Sequence, residues 1–395
     1  MGDGGWGVAA ARILAAMTDY VLADDAASLA RALDLLDGLE VMGVDVERAD
    51  WDRYFRAAAL VQIGGQGRVA LVDPMLLDDL QPVRELLASR VCVLHAMEND
   101  LGPLATLGIV PAQLEDTAVA ASLLGLPTGL EALLAELLGV QLPGDKAAMQ
   151  RADWEKRPIS ERMLAYAAGD VADLPQLWAV LRDSLEQAGR LEWYRQVVAA
   201  VAAQPPVEQR REWLRTRGAG RLDPASRGRL RALWDAREHL ARDTDTAPGR
   251  IANDKVLVDL AARPPAGTAE LGRRGMRRQA VRSWGEALLG ALAGAESRRP
   301  ERTRRERRAS TDVDRELVET LRGLRSGKAA ELGIDPGILC PSRTLMGAVL
   351  ADPATPAELL EALGLLPWQW DQLAGDFCAA MGLAAGDVEI PSATR

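Results

Sequence analysis

Histidine and cysteine are almost missing from this chain, which has two of the first (His95, His239) and three of the second (Cys92, Cys340, Cys378) in 395 residues. A structural zinc site takes four Cys or His ligands at close spacing, and here the cysteines lie far apart with no CxxC, so zinc is not expected. Scattered cysteines in odd number also argue against a disulfide framework. The opening residues MGDGGWGVAA lack the basic flank and apolar core of a secretory signal, and Trp6 stands where the myristoylation pattern needs Ser or Thr. A reducing cytoplasm is the expected compartment. No run approaches the roughly 18 uninterrupted apolar residues of a membrane helix, so no membrane partner is expected. A monomer is favoured.

What the chain does have is carboxylate. With 57 Asp and Glu and so little histidine, catalysis is expected to run on acids, and carboxylates suit Mg2+ or Mn2+. The net charge of −10 is unevenly spread: residues 1–200 hold 16 Lys+Arg against 30 Asp+Glu, residues 201–308 hold 25 against 14, and residues 309–395 hold 6 against 13. Only four of the 47 basic residues are lysine, so arginine carries the basic middle, and arginine pairs bidentately with phosphate. The densest run is RRPERTRRERR, Arg298 to Arg308. An acidic segment joined to a basic one suits an enzyme that holds metal ions in one domain and a polyanion on the next.

At this length two or three domains are expected. A short strand at Tyr20 to Leu22 and a helix at Asp24 to Leu39 precede three apolar runs, Val41 to Glu47, Ala58 to Ile63 and Arg68 to Val72. The gaps between those runs are too short for parallel crossovers, which predicts an antiparallel meander. Helix (Leu76 to Ser89), strand (Val91 to Leu94) and helix (Glu98 to Leu107) then alternate, as parallel pairing requires. The result is a mixed α/β sheet. From Thr117 onward the pattern is helical, broken at Pro127, Pro143 and Pro158. QPP at 204–206 reads as a domain boundary, giving segments 1–203, 204–297, an arginine-rich linker 298–311, and 312–395. The two later segments share a Pro-rich turn into a helix, ARPPAGTAEL at 262–271 and ADPATPAELL at 351–360, as a weak internal repeat.

In VMGVDVERADW, Asp45 and Glu47 stand two apart on a strand, so both carboxylates share one face while Val44 and Val46 pack behind. Such pairs are common in a chain this acidic. In HAMENDL, Asp100 falls in the first turns of a helix after the strand VCVL, at the carboxyl end of a strand where α/β proteins build sites. In YAAGDVADL, Tyr166 and Asp170 are four apart on one face of a helix that Ser160 can cap. His95, at the end of a buried strand, reads as a core or hinge residue rather than a base.

Together these pieces resemble the ribonuclease D family, the tyrosine-bearing branch of the DEDD 3′-to-5′ exonucleases, over about residues 18–195. LVQIG at 60–64, DTAVAASLLG at 116–125, GLEALLAELLGV at 129–140 and DWEKRP at 153–158 agree with it. The resemblance implies a ribonuclease H-like fold. It also implies that Asp45, Glu47, Asp100 and Asp170 hold two divalent cations, Mg2+ or Mn2+, with Tyr166 orienting the attacking water. The activity implied is 3′-to-5′ release of nucleoside 5′-monophosphates from RNA with a single-stranded 3′ end, such as tRNA precursors or other small structured RNAs. A DNA exonuclease and an idle RNA-binding scaffold are the alternatives. Gln62, Lys146 and Trp154 are expected near the substrate. The chain departs from the family pattern in WDRYFRAAALVQ, which lacks an aromatic near the middle of the second strand, and in KAAMQRAD at 146–153.

Residues 230–271 resemble an HRDC domain, carried by WDAREHLARD and PAGTAEL. Residues 312–384 resemble a diverged second copy that lacks the WxxR signature but keeps DPATPAELL. The expected architecture is an exonuclease module followed by two all-α HRDC-like modules, the basic first one better placed to meet RNA phosphates.

Overall fold

The computed structural model describes residues 12–13, 18–48, 52–55, 57–142, 146–149, 151–205, 211–296 and 311–384. The arginine run at 298–308 lies outside the described residues. Two compact units emerge. One takes residues 1–47, 59–204 and 308–395; the other takes residues 48–58 and 205–307.

The first unit is built on a six-stranded sheet. Its strands are β1 (Asp19–Ala23), β2 (Val41–Arg48), β3 (Ala58–Gly65), β4 (Arg68–Val72), β5 (Val91–Leu94) and β6 (Gln113–Asp116), laid in the order β1-β4-β3-β2-β5-β6. β3 and β4 are antiparallel, joined by Gln66 and Gly67 at positive φ of 53° and 75°, the backbone that a two-residue hairpin needs. β1 lies parallel to β4, and β2, β5 and β6 are mutually parallel. The sheet is thus mixed, as the run spacing predicts. β6 (QLED) goes unpredicted because an edge strand with two acids in four residues lacks an apolar signature. Every residue of β3 is buried, as a central strand covered on both faces demands.

Helices α1 (Ala26–Leu36), α2 (Gln81–Ala88), α3 (Leu101–Thr106) and α4 (Thr117–Leu124) connect and flank the strands; α5 (Glu161–Ala172), α6 (Leu174–Gln187) and α7 (Leu191–Ala202) complete the α/β module. α1 starts with a capping box, the Asp25 carboxylate accepting from Ser28 N–H while the Ser28 hydroxyl receives the Asp25 N–H. That contact pulls the Asp25 carboxyl below its ordinary range, led by the Ser28 backbone hydrogen bond.

Each helical module is a five-helix repeat. The first comprises α8 (Pro224–Asp243), α9 (Pro248–Ile251), α10 (Asp254–Ala262), α11 (Thr268–Arg273) and α12 (Arg278–Glu296). The second comprises α13 (Asp312–Leu332), α14 (Pro336–Leu339), α15 (Ser342–Ala351), α16 (Pro356–Leu363) and α17 (Pro367–Ala380). None of the described helices is long and apolar enough to cross a membrane.

The second module belongs to the first unit and is fastened there by α7. Arg190 donates to the Leu123 carbonyl and to the Leu332 carbonyl, each at 2.6 Å, placing one cation on the C-terminal carbonyls of both α4 and α13. Trp193 stacks on Trp368 with centroids 4.7 Å apart, and Gln196 Oε1 accepts the Trp368 N–H at 3.0 Å. A Cβ on Gly125 would stand 2.0 Å from the Gly333 carbonyl, so the two helix ends meet backbone to backbone.

Residues 48–58 pack with the first helical module. Tyr54 is 2% exposed within that module's core, with the guanidinium carbons of Arg211 and Arg242 at 4.7 and 5.7 Å from its ring centroid. Asp245 Oδ1 accepts the backbone N–H of both Tyr54 and Phe55 at 3.1 Å, and Ala247 N–H donates to the Asp52 carbonyl at 2.7 Å.

Candidate active site

β2 carries Gly43, Asp45 and Glu47 on one face and buries Val44 and Val46 on the other. The glycine decides what can approach that face. A Cβ at Gly43 would stand 2.5 Å from the Val171 carbonyl and 2.9 Å from Leu174 Cβ, so only glycine lets the end of α5 press against the strand. α5 is started by Ser160, whose hydroxyl accepts from Met163 N–H. One turn apart on the helix are Tyr166 and Asp170, the latter 8% exposed.

The approach brings one carboxylate oxygen from each of Asp45, Glu47 and Asp170 within 4.8 Å of one another. Like charges at that separation repel by on the order of 3 kcal/mol per pair at an effective dielectric of about 20. An all-oxygen, anionic donor set of this kind fits a hard divalent cation, which removes the repulsion. Tyr166 stands beside all three. Burial first, then the negative charges of Asp170, Glu47 and Asp45, hold its phenol above the ordinary value of 10.0, and Asp170 accepts its hydrogen bond. The group therefore stays protonated.

Asp100 is 4% exposed at the start of α3 and lies outside that mutual group of three. Its position depends on Asp116, which the sequence reading passed over. The Asp116 carboxylate, 1% exposed, accepts Ala96 N–H at 3.1 Å and Met97 N–H at 2.8 Å, and caps α4 through Ala118 and Val119. It thereby holds the left-handed turn at Ala96 (φ 60°) that leads through Met97–Asn99 into Asp100. Tyr194 secures the same corner: its hydroxyl accepts Asp116 N–H at 2.7 Å and donates to Glu115 at 2.8 Å. The one signal in the sequence was the acid opening DTAVAASLLG.

Of the expected substrate contacts, Gln62 is fully buried on β3, and its side-chain amide N and O find no hydrogen-bond partner among the described residues. Trp154 is 3% exposed and donates Nε1–H to the Met149 carbonyl at 3.1 Å, a packing contact. Lys146 opens a one-turn helix, Lys146–Met149, and its side chain lies outside the described residues. His95 Nδ1 meets the Thr117 hydroxyl at 2.9 Å, consistent with a satisfied hinge residue. A further anchor is Arg157 of DWEKRP. It pairs with the buried Asp73 and donates at 2.8 Å to the Ala59 carbonyl, fixing the segment before α5 to β3 and to the end of β4.

A sequence model of 3′-5′ exonucleases matches residues 20–186, and one of HRDC domains matches residues 226–292 and again 314–381. Ribonuclease D of Pseudomonas paraeruginosa is 30% identical over 86% of this chain and 92% of its own length; that of Zymomonas mobilis is 33% identical over 72% and 75%. The chain belongs to the ribonuclease D family. Its fold is shared with Escherichia coli RNase D, at TM-score 0.74 and 22% identity over 92% of this chain and 99% of that one.

The second HRDC copy, read from sequence as lacking the WxxR signature, keeps half of it. Trp234 is replaced by Arg322, but Arg325 does what Arg237 does: Arg237 Nη1 donates to Ala252 O and Asp254, and Arg325 Nη1 donates to Cys340 O and Ser342.

Proposed function

We propose that this member of the ribonuclease D family is a 3′-to-5′ exoribonuclease that releases nucleoside 5′-monophosphates from single-stranded 3′ ends, holding two divalent cations, Mg2+ or Mn2+, on Asp45, Glu47, Asp100 and Asp170. The carrying observation is the convergence of Asp45, Glu47 and Asp170 within 4.8 Å, beside a tyrosine kept neutral by burial and by the same charges. Bound by these carboxylates, divalent cations supply a water of lowered pKa and positive charge beside the leaving 3′ oxygen.

The chain's own contribution is orientation. Tyr166 donates a hydrogen bond to Asp170, which leaves the phenol oxygen to accept from the attacking water and aim it in line with the scissile bond. Asp116 and Tyr194 keep Asp100 from drifting. Substrates of the expected kind are tRNA precursors or other small structured RNAs, and the E. coli relative is described as an exoribonuclease involved in structured RNA processing. Three buried free cysteines, with the Cys92 thiol pushed up to about 12 by burial, fit a protein working in a reducing cytoplasm.

A 3′-tailed RNA incubated with Mg2+ or Mn2+ tests this. Monophosphate release is expected from the unaltered protein and none from Asp45→Asn; undiminished release by that variant would overturn the assignment. Tyr166→Phe lowers kcat on the order of 10²-fold. The same assay on a DNA oligonucleotide separates ribonuclease from deoxyribonuclease.

A further inference from the structure

The second unit contains a cavity of about 470 Å³ that the hydrolytic mechanism does not use. Asp52 and Arg53 line one side; Asp245, Arg250, Arg277 and Trp284 line the rest. Its size falls in the roughly 300–1,000 Å³ range of small-ligand sites. Both carboxylates are engaged. Asp52 pairs with Arg250 at 3.5 Å, and Asp245 pairs with Arg53 at 3.8 Å while accepting two backbone N–H groups. These contacts hold two guanidinium groups in place. Arg277 is exposed and, among the described residues, has no carboxylate partner. Three guanidinium groups against two occupied carboxylates select an anion, and the planar fork of arginine matches phosphate oxygens. Trp284, half-buried against the module's core, adds an aromatic face that an inorganic anion would leave unused and a nucleobase would stack on.

The geometry points to a binding site for one nucleotide of a single-stranded RNA, its phosphate on Arg277 with Arg53 and Arg250 and its base on Trp284. The site is tied to catalysis by the chain itself. Arg53 lies six residues beyond Glu47, at most about 20 Å of fully extended backbone. Tyr54, buried in the module next to it, keeps that stretch seated. The inference rests on the reading of RNA as substrate.

Binding measured without divalent cation, on full-length protein and a fluorescent single-stranded RNA, separates this site from the hydrolytic one. Arg277→Glu should weaken binding about tenfold and lower the slope of log K against log salt by about 0.7, the value for one phosphate contact on a single strand. Trp284→Ala should weaken binding with the salt slope unchanged. Arg217→Glu makes the same charge change on an exposed arginine of this unit that does not line the cavity, and should cost less than about twofold. Equal losses in Arg277→Glu and Arg217→Glu would show a diffuse basic surface and overturn the site, as would unchanged binding in Arg277→Glu. If RNA binds as expected but Asp45→Asn still hydrolyses it, the carboxylate assignment fails and the nucleotide site stands.

Discussion

Arg237 in the first helical module and Arg325 in the second each reach a backbone carbonyl 15 residues on and a side chain 17 residues on, and among the described residues the Nε of each has no partner. On that common frame the partners differ. Arg237 meets Asp254 and the buried Glu238; Arg325 meets only a carbonyl and the Ser342 hydroxyl. The attachments differ too. Module two is bound to the exonuclease module by Arg190, the Trp193–Trp368 stack and Gln196, whereas module one shares its unit with residues 48–58 and lies in the basic stretch of the chain. One repeat thus supplies structure to the catalytic domain and the other supplies cationic surface. The buried arginine and its carbonyl are common to both modules, while the residues around them differ.

The contrast can be broken in three ways. The largest effect should come from Arg237→Ala, which strips a cation from the buried Glu238 and should cost about 3 kcal/mol in denaturant unfolding. Arg325→Ala loses charge-assisted bonds to neutral acceptors and should cost about 2 kcal/mol. A reversed order would mean that the carboxylates around Arg237 do not set the difference. Removing the docking stack by Trp193→Ala should cost about 1 kcal/mol beyond lost apolar area, read as lower thermal stability with RNA affinity unchanged. The smallest effect is reserved for charge reversal on module two. Arg343→Glu should change RNA affinity by less than about twofold, against the tenfold loss expected of Arg277→Glu. Equal losses would erase the division of labour.

Much of the acidic cluster was legible. A period-2 strand puts Asp45 and Glu47 on one face, and a 3.6-residue helix puts Tyr166 and Asp170 on one face, whatever surrounds them. Burial was less legible. Gln62 reads as a polar residue available to substrate, yet β3 is central and covered, which only its neighbours decide. Asp116 reads as a helix cap, and its second task of holding Ala96 and Met97 depends on a turn 20 residues away in sequence. Arg325 escaped notice because the tryptophan that marks the motif had been replaced by Arg322. Residues 48–58, assigned by sequence boundaries to the exonuclease module, pack with module one because Tyr54 fills that module's core.

The scarcity of histidine and cysteine, the acid-rich first half, the arginine-rich middle and the local pairing of functional residues were all determined by sequence, since composition and backbone periodicity are properties of the chain alone. Tertiary structure decided which acids meet. Asp45 and Asp170 are 125 positions apart, and what joins them is the missing side chain at Gly43, which lets α5 press against β2 and brings the carboxylates within 4.8 Å. Close packing of that kind depends on the shapes of two surfaces at once, and neither segment specifies it alone.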